Sequence, residues 1–155
     1  GPCEEESMYL ALNESQVYIN LADSLENVMS DHYAFRDSFL KEITGGYEFI
    51  DLYYNFSAKI NQLSDEGTLS IPISLRVKTA RFLVLNSYKL NLLSNFTNPG
   101  YIIIDEDELE EIIAIIDEYA SLSTDLEYIA MLNTLKNELY KVVNLSAQEI
   151  NILYS

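Results

Sequence analysis

The strongest constraint on the fold is a run of large aromatic and aliphatic side chains at residues 33–63. From Phe49 onward, apolar residues recur in alternating four- and three-residue steps, which places them on one face of a helix. That face consists of Phe49, Tyr53, Phe56, Ile60 and Leu63. A shorter apolar face precedes Gly45-Gly46, a pair typical of a helix end. The run therefore predicts a helical hairpin, and we expect its 47–63 helix to pack against most of the other helices.

Periodicity and capping residues predict further helices along the chain. Residues 8–30 form an amphipathic pattern, residues 72–95 a mostly apolar one, and residues 105–118 begin with Asp105 or Asp107 as the helix cap. The inward faces predicted for the last two long helices are Leu109, Ile112, Ile113, Ile116 and Tyr119, followed by Tyr128, Leu132, Leu135, Leu139 and Val142.

The C-terminal segment begins with a capping box, Ser146 to Glu149, which predicts a short final helix. We expect Ile150, Leu153 and Tyr154 to dock this helix against the rest of the fold. The fold class is thus all-α, a single-domain bundle of six or seven helices over residues 8–155, with an acidic tail at residues 1–7.

Residues 69–77 leave one alternative open. Apolar and polar residues alternate there, as in a half-buried strand, and the short run 101–104 is the only candidate partner for a minor two-stranded element. Pro72 suits the first turn of a helix and Ser70 a cap, and the apolar continuation is too long for one strand. We therefore favour a helix over residues 72–95.

Charge limits the classes of partner. Nine Lys and Arg residues oppose 25 Asp and Glu residues, for a formal net charge of −16. Such a charge repels nucleic acids and anionic membrane surfaces. No apolar run of about 18 residues predicts a transmembrane segment. We expect another protein as the partner, and a monomer or at most a weak dimer in its absence.

Catalytic and metal-binding patterns are absent from the sequence. The single histidine, His32, has no Cys, Asp or second His at metal-ligand spacing, and no Ser or Cys pairs with it as a nucleophile. The carboxylates at 105–118 belong to a solvated helix face, where general acid catalysis is weak. We therefore expect no enzyme activity, no cofactor and no metal site.

The basic residues are unevenly distributed. Between Gly67 and Ile104 there are four basic residues and no acidic ones. One interpretation is that this basic segment lies beside the acidic helix 105–118 and the two partly neutralise each other. The other is a binding site for an anion or an acidic partner at Arg76 and Arg81.

The central run resembles a known segment. Its matching positions are Phe35, Arg36, Asp37, Leu40, Gly46, Phe49, Leu52, Tyr53, Tyr54, Phe56, Ser57 and Ile60, followed by Leu75 and Arg76. Over residues 33–85 the chain thereby resembles the C-terminal segment of secreted bacterial proteins called the CFI-box tail, without its defining Cys-Phe-Ile opening. The resemblance implies a bacterial, extracytoplasmic context and no particular chemistry.

The N-terminus suggests a localisation. Gly1-Pro2 is typical of the residues left after removal of a purification tag, and Cys3 with three following glutamates is similar to the start of a mature bacterial lipoprotein. Cys3 is therefore a candidate for lipidation, and a secreted or cell-surface location is favoured over a cytoplasmic one. The alternative is an ordinary cysteine at an arbitrary boundary.

Two functional hypotheses remain. The first is a noncatalytic helical module that binds another protein, because twelve tyrosines exceed what one core can bury with every hydroxyl satisfied. The second is a small-ligand-binding or enzymatic bundle with a pocket among the aromatic residues of 47–63, near Tyr53, Tyr54 and Arg36. Exposure of Tyr47 and Tyr54 in a patch favours the first, and convergence on a closed cavity favours the second.

Overall fold

The computed structural model describes residues 40–41, 46–95 and 98–155. This part of the chain is all-α and bundle-like, as predicted. Its six helices are α1 (Gly46–Asp65), α2 (Ile73–Asn86), α3 (Tyr88–Asn95), α4 (Glu106–Ala120), α5 (Leu126–Val142) and α6 (Ala147–Leu153).

The predicted caps begin two of these helices. The Asp105 side chain accepts a hydrogen bond from the Glu108 backbone N–H at 2.8 Å, and the Glu108 carboxylate accepts one in return from the Asp105 N–H. Ser146 and Glu149 form the same reciprocal box at the start of α6. These caps satisfy backbone donors that have no partner within a helix, so local sequence signals mark where α4 and α6 begin.

The larger core cluster lies where α1, α4 and α5 meet. Tyr128 of α5 is completely buried, and the ring of Phe56 from α1 stacks on it with centroids 5.5 Å apart. The other buried members of this cluster are Leu63, Leu69, Ile116 and Leu132. The α4–α5 hairpin is thus the centre of the described fold. Among the helices that the structure describes, α1 packs chiefly against α5, so the expected packing of α1 against most of the other helices stays a prediction.

A second cluster joins α3 to α6. Leu93, Ile103, Ala147 and Ile150 are its buried members. The run 101–104 lies beside the start of α6, where the Ala147 N–H donates to the Tyr101 carbonyl at 2.9 Å and Ile102 forms an isolated bridge with Ser146. The suggested strand pairing of 69–77 with 101–104 is therefore not present, since 101–104 pairs instead with the segment before α6.

The single helix expected over 72–95 is divided into α2 and α3 at Ser87. Side chains near the break bind the carbonyls of the preceding turn. Asn86 donates to the Phe82 carbonyl at 2.9 Å, and Ser87 donates to the Val84 carbonyl at 3.3 Å. Such bonds compete with the helical backbone ladder, and the backbone of Ser87 itself stays in the right-handed helical region, so the interruption is local. At the other end, Pro72 occupies the cap position of α2, without a side-chain capping bond.

Three residues assigned to inward faces are exposed instead. They are Tyr53, Leu135 and Leu153, at 63%, 39% and 48% exposure. Each occupies an apolar position of a helical repeat, but the neighbouring helix covers only part of that face. Of the three residues expected to dock α6, Ile150 and Tyr154 do so, the first in the core and the second through hydrogen bonding and ring contact.

Candidate functional site

Three tyrosines on α1 form an exposed patch, which we call the tyrosine surface. Tyr47, Tyr53 and Tyr54 are 61%, 63% and 52% exposed. Tyr47 and Tyr54 are seven residues apart and so share one face two turns along the helix. Tyr53 and Tyr54 contact each other edge to face, with ring centroids 5.5 Å apart. The three side chains therefore point outward rather than into a closed cavity.

The core determines which side of α1 carries this patch. Leu63 is buried against α4 and α5, and Phe56 stacks on Tyr128. In a helix of 3.6 residues per turn, Tyr47 and Tyr54 then lie nearly opposite Phe56. The burial of Phe56 and Leu63 thus fixes the rotation of α1 and turns two large tyrosines toward solvent.

Two open grooves follow the seam between α1 and α5. The first has a volume of about 390 Å³ and is lined by Glu48, Phe49, Asp51, Leu52, Asn55, Thr134, Glu138 and Tyr154. The second has about 380 Å³ and is lined by Asn55, Ala58, Lys59, Gln62, Glu127 and Met131. Both contain Asn55, so they adjoin one another, and we refer to them together as the seam groove.

Glu138 in the seam groove is already engaged on both oxygens. The Tyr154 hydroxyl donates to one at 2.7 Å and the Lys141 ammonium to the other at 2.9 Å. Burial works to raise the pKa of Glu138, but these hydrogen bonds outweigh it and hold the pKa below its usual value. Burial and the bond to Glu138 raise the pKa of Tyr154. Glu138 is thus ionised at neutral pH and fastens the C-terminal residues to α5, a role unlike that of a general acid.

Lys59 is engaged in the same way at the other end of the seam groove. Its ammonium lies 2.7 Å from the Glu127 carboxylate and 3.7 Å from that of Asp125, and the hydrogen bond to Glu127 raises the pKa of Lys59. Glu48 and Asp51, by contrast, are exposed and form no ion pair with any residue that the structure describes. The uncompensated negative charge of the seam groove is therefore at its Glu48 end.

The two arginines proposed as an anion site do not come together. Arg76 and Arg81 are both exposed on α2, and five residues of an α-helix separate side chains by about 140° around the axis. The two lysines of the same basic segment contact the acidic helix. Lys78 pairs with Glu118 at 2.6 Å, and Lys89 pairs with Glu108. The interpretation that the basic segment lies beside the acidic helix is confirmed by these pairs.

Lys89 was not singled out by the sequence, although it is the most buried cation in the described residues. Its side chain is 9% exposed, and its ammonium also donates to the Ile103 carbonyl at 2.6 Å. The sequence does contain a signal for this burial, because Lys89 is the only charged residue in an otherwise apolar segment. A lysine in such a position needs a partner to be buried.

Several candidate residues lie outside the described part of the chain, namely Cys3, His32 and Arg36. Within the described part, no group of three His, Cys, Asp or Glu side chains could hold a metal ion. None of the six helices combines the length and the hydropathy required to cross a bilayer. In comparisons with known proteins, no protein family, no curated protein and no solved structure gives a significant match to this chain.

Proposed function

We propose that this chain is a noncatalytic helical module that binds another protein through the tyrosine surface of α1. The observation that carries the proposal is the exposure of Tyr47, Tyr53 and Tyr54, each more than half exposed on a helix that Phe56 and Leu63 anchor in the core. Three large, amphipathic side chains on one helix are a typical protein-binding surface.

Tyrosine suits such a surface for a physical reason. Its ring contributes a large apolar area with few rotatable bonds, so little conformational entropy is lost on binding. The contact between Tyr53 and Tyr54 restricts these rings further. The tyrosine surface is therefore preorganised for contact with a partner.

The charge of the chain indicates the character of the partner. At −16 the molecule repels acidic proteins and copies of itself at neutral pH, and it attracts basic ones. Glu48 and Asp51 lie on α1 between and beside the exposed tyrosines and have no ion-pair partner in the described residues. A partner with Lys or Arg around an apolar contact would fit this arrangement.

For the cellular context we propose a bacterial, secreted or lipid-anchored protein. The support is the resemblance of residues 33–85 to the CFI-box tail and the candidate lipid-bearing Cys3. Labelling of the full-length native protein with a radioactive fatty acid in its source cell tests the anchor. Incorporation that is lost in Cys3→Ser supports it, and absence of label removes it.

A small-ligand-binding bundle is the alternative function. It is favoured by the first part of the seam groove, whose volume of about 390 Å³ lies in the range of ligand pockets and whose lining includes Phe49, Leu52 and Tyr154. A ligand bound there would contact these side chains. The tyrosine surface would then have no part in function, so Tyr53→Ser would leave ligand binding unchanged.

A crosslinking experiment separates the two functions. A photo-reactive phenylalanine analogue replaces Tyr54 in one sample and Tyr140 in another, because these tyrosines are almost equally exposed, at 52% and 56%, but lie on different helices. Irradiation in the source cell should give a discrete protein adduct from position 54 and none from position 140. Equal adducts from both positions, or no adduct from position 54, would reject the tyrosine surface as the binding site.

A further inference from the structure

We propose that the seam groove receives an amphipathic helix of the partner protein, with basic side chains near Glu48 and Asp51. This inference rests on the proposed protein-binding function and goes beyond the tyrosine surface, since none of Tyr47, Tyr53 and Tyr54 lines the groove. The groove follows α1 from residue 48 to residue 62. At 1.5 Å per residue this is about 21 Å, the length of a helix of about 14 residues.

The two walls of the groove are regular. Residues of α1 recur every three or four positions along it, and residues of α5 do the same in the opposite direction, so that Glu48 and Glu138 line one end of the groove and Gln62 and Glu127 line the other. A third helix can pack into the open seam between two antiparallel helices. Near the middle of the walls the side chains are short, namely Asn55, Ala58 and Thr134, which allows another helix to approach closely.

A helical occupant is favoured over an extended one by hydrogen bonding. An extended peptide has unpaired backbone groups, and both walls of the seam are helices whose own backbone groups are bonded internally. A helix satisfies its own backbone and needs only apolar contacts with Phe49 and Leu52, which line the groove. These apolar side chains therefore receive one face of the partner helix.

The charges of the groove indicate that the occupant is basic and show where its basic side chains would bind. Glu48 and Asp51 are three residues apart on α1, exposed, and without an ion-pair partner in the described chain. At the other end Lys59 and Glu127 neutralise each other. Lys or Arg side chains one turn apart on the partner helix would thus pair at the Glu48 end.

Synthetic peptides test the proposal without knowledge of the natural partner. The probe is a fluorescent 15-residue amphipathic helix with leucines on one face and lysines beside them, and its control has glutamates in place of the lysines. Both are titrated into the full chain by fluorescence anisotropy. Saturable one-to-one binding of the lysine peptide alone is expected, whereas equal binding of both peptides or of neither overturns the proposal.

Matched variants locate the binding site. The double change Glu48→Gln with Asp51→Asn should weaken binding of the lysine peptide about fivefold, as for two exposed ion pairs. Glu110→Gln with Glu111→Gln removes the same charge from exposed positions on α4 and should weaken it less than twofold. If both double variants lose the same affinity for the lysine peptide, the peptide binds by nonspecific charge attraction. That result would refute the seam groove as its binding site.

A third variant tests whether the groove is open to a partner. Asn55→Trp fills the middle of the seam and should abolish peptide binding while leaving the Tm within about 2 °C. A large drop in Tm with unchanged peptide binding would show that another part of this chain occupies the groove, which overturns the inference. If the peptide experiments reject the seam groove but a crosslink still forms at position 54, the tyrosine surface remains the binding site.

Discussion

Substitution of Tyr128 by phenylalanine tests the central core with the smallest possible change. The Tyr128 side chain is completely buried, its ring stacks on Phe56, and its hydroxyl donates to the Tyr119 carbonyl at 2.6 Å. Tyr128→Phe keeps the ring and its stacking but removes that hydrogen bond. The variant therefore isolates the contribution of one buried hydroxyl.

The expected loss of folding free energy depends on whether the Tyr119 carbonyl keeps another hydrogen-bond donor. The Tyr119 carbonyl also accepts the backbone N–H of Leu122 at 3.1 Å, so the loss of the hydroxyl does not leave it without a donor. The penalty is then that of one net hydrogen bond, about 1 kcal/mol, rather than that of an unsatisfied buried group. For a chain of this size, about 1 kcal/mol lowers the Tm by about 2–4 °C.

The pH dependence of the same variant provides a sharper test. Burial raises the pKa of Tyr128 to about 12, above the value of about 10 expected in the unfolded chain. The folded state thus keeps a proton that the unfolded state loses above pH 10. Stability from this group is fully present below pH 10 and is lost as the pH rises from 10 to 12, by about 1.4 kcal/mol at pH 11.

Urea unfolding at pH 7 and pH 11 measures both effects. At pH 7 the native chain should be more stable than Tyr128→Phe by about 1 kcal/mol. At pH 11 the variant, which has no phenol to titrate, should be equally stable or slightly more stable, while the other tyrosines titrate in both proteins. A stability difference that stays constant between the two pH values would refute the assignment of Tyr128 as a buried, protonated phenol.

Three further predictions concern packing, a buried charge and association. Phe56→Ala should cost about 2–3 kcal/mol in urea unfolding because a half-buried, stacked ring is lost, whereas the exposed control Tyr53→Ala should cost less than about 0.5 kcal/mol; similar losses in both would mean that the buried face of α1 is misassigned. Lys89→Met should cost about 1–3 kcal/mol because a buried ammonium with two partners is removed, and Lys78→Met, half exposed, should cost less than about 1 kcal/mol; the reverse order would contradict this ranking. Light scattering should show a monomer or weak dimer whose self-association rises slightly with salt, since salt screens the net charge, and a tight dimer that dissociates as salt rises would indicate pairing of acidic with basic surfaces instead.

Local signals made the helices predictable. A few neighbouring residues predict Asp105 or Asp107 and Ser146 as caps, and Asp105 and Ser146 form those caps. The interruption at Ser87 was not predicted, because Ser and Asn side chains occur both inside and at the ends of helices. Only the structure shows that Asn86 and Ser87 bind the preceding carbonyls.

The orientation of tyrosines was the least predictable feature. Tyr53 and Tyr128 both occupy inward positions of a helical repeat, yet Tyr53 is 63% exposed and Tyr128 is completely buried. A phenol is stable in either environment, provided that its hydroxyl finds a partner. That partner, the Tyr119 carbonyl for Tyr128, comes from a different helix. The candidate site was likewise beyond prediction, because the seam groove depends on the pairing of α1 with α5 across many residues of sequence.

The distribution of ion pairs explains why a binding surface of this protein must rely on more than charge. Five lysines in the described chain pair with carboxylates of the same molecule, at positions 59, 78, 89, 136 and 141. With only nine basic residues for 25 acidic ones, most carboxylates have no cation to meet, and negative charge covers much of the surface. Charge alone would attract a basic protein to many places. A defined site needs apolar contact as well, and α1 supplies it where the tyrosine surface adjoins the unpaired carboxylates of Glu48 and Asp51.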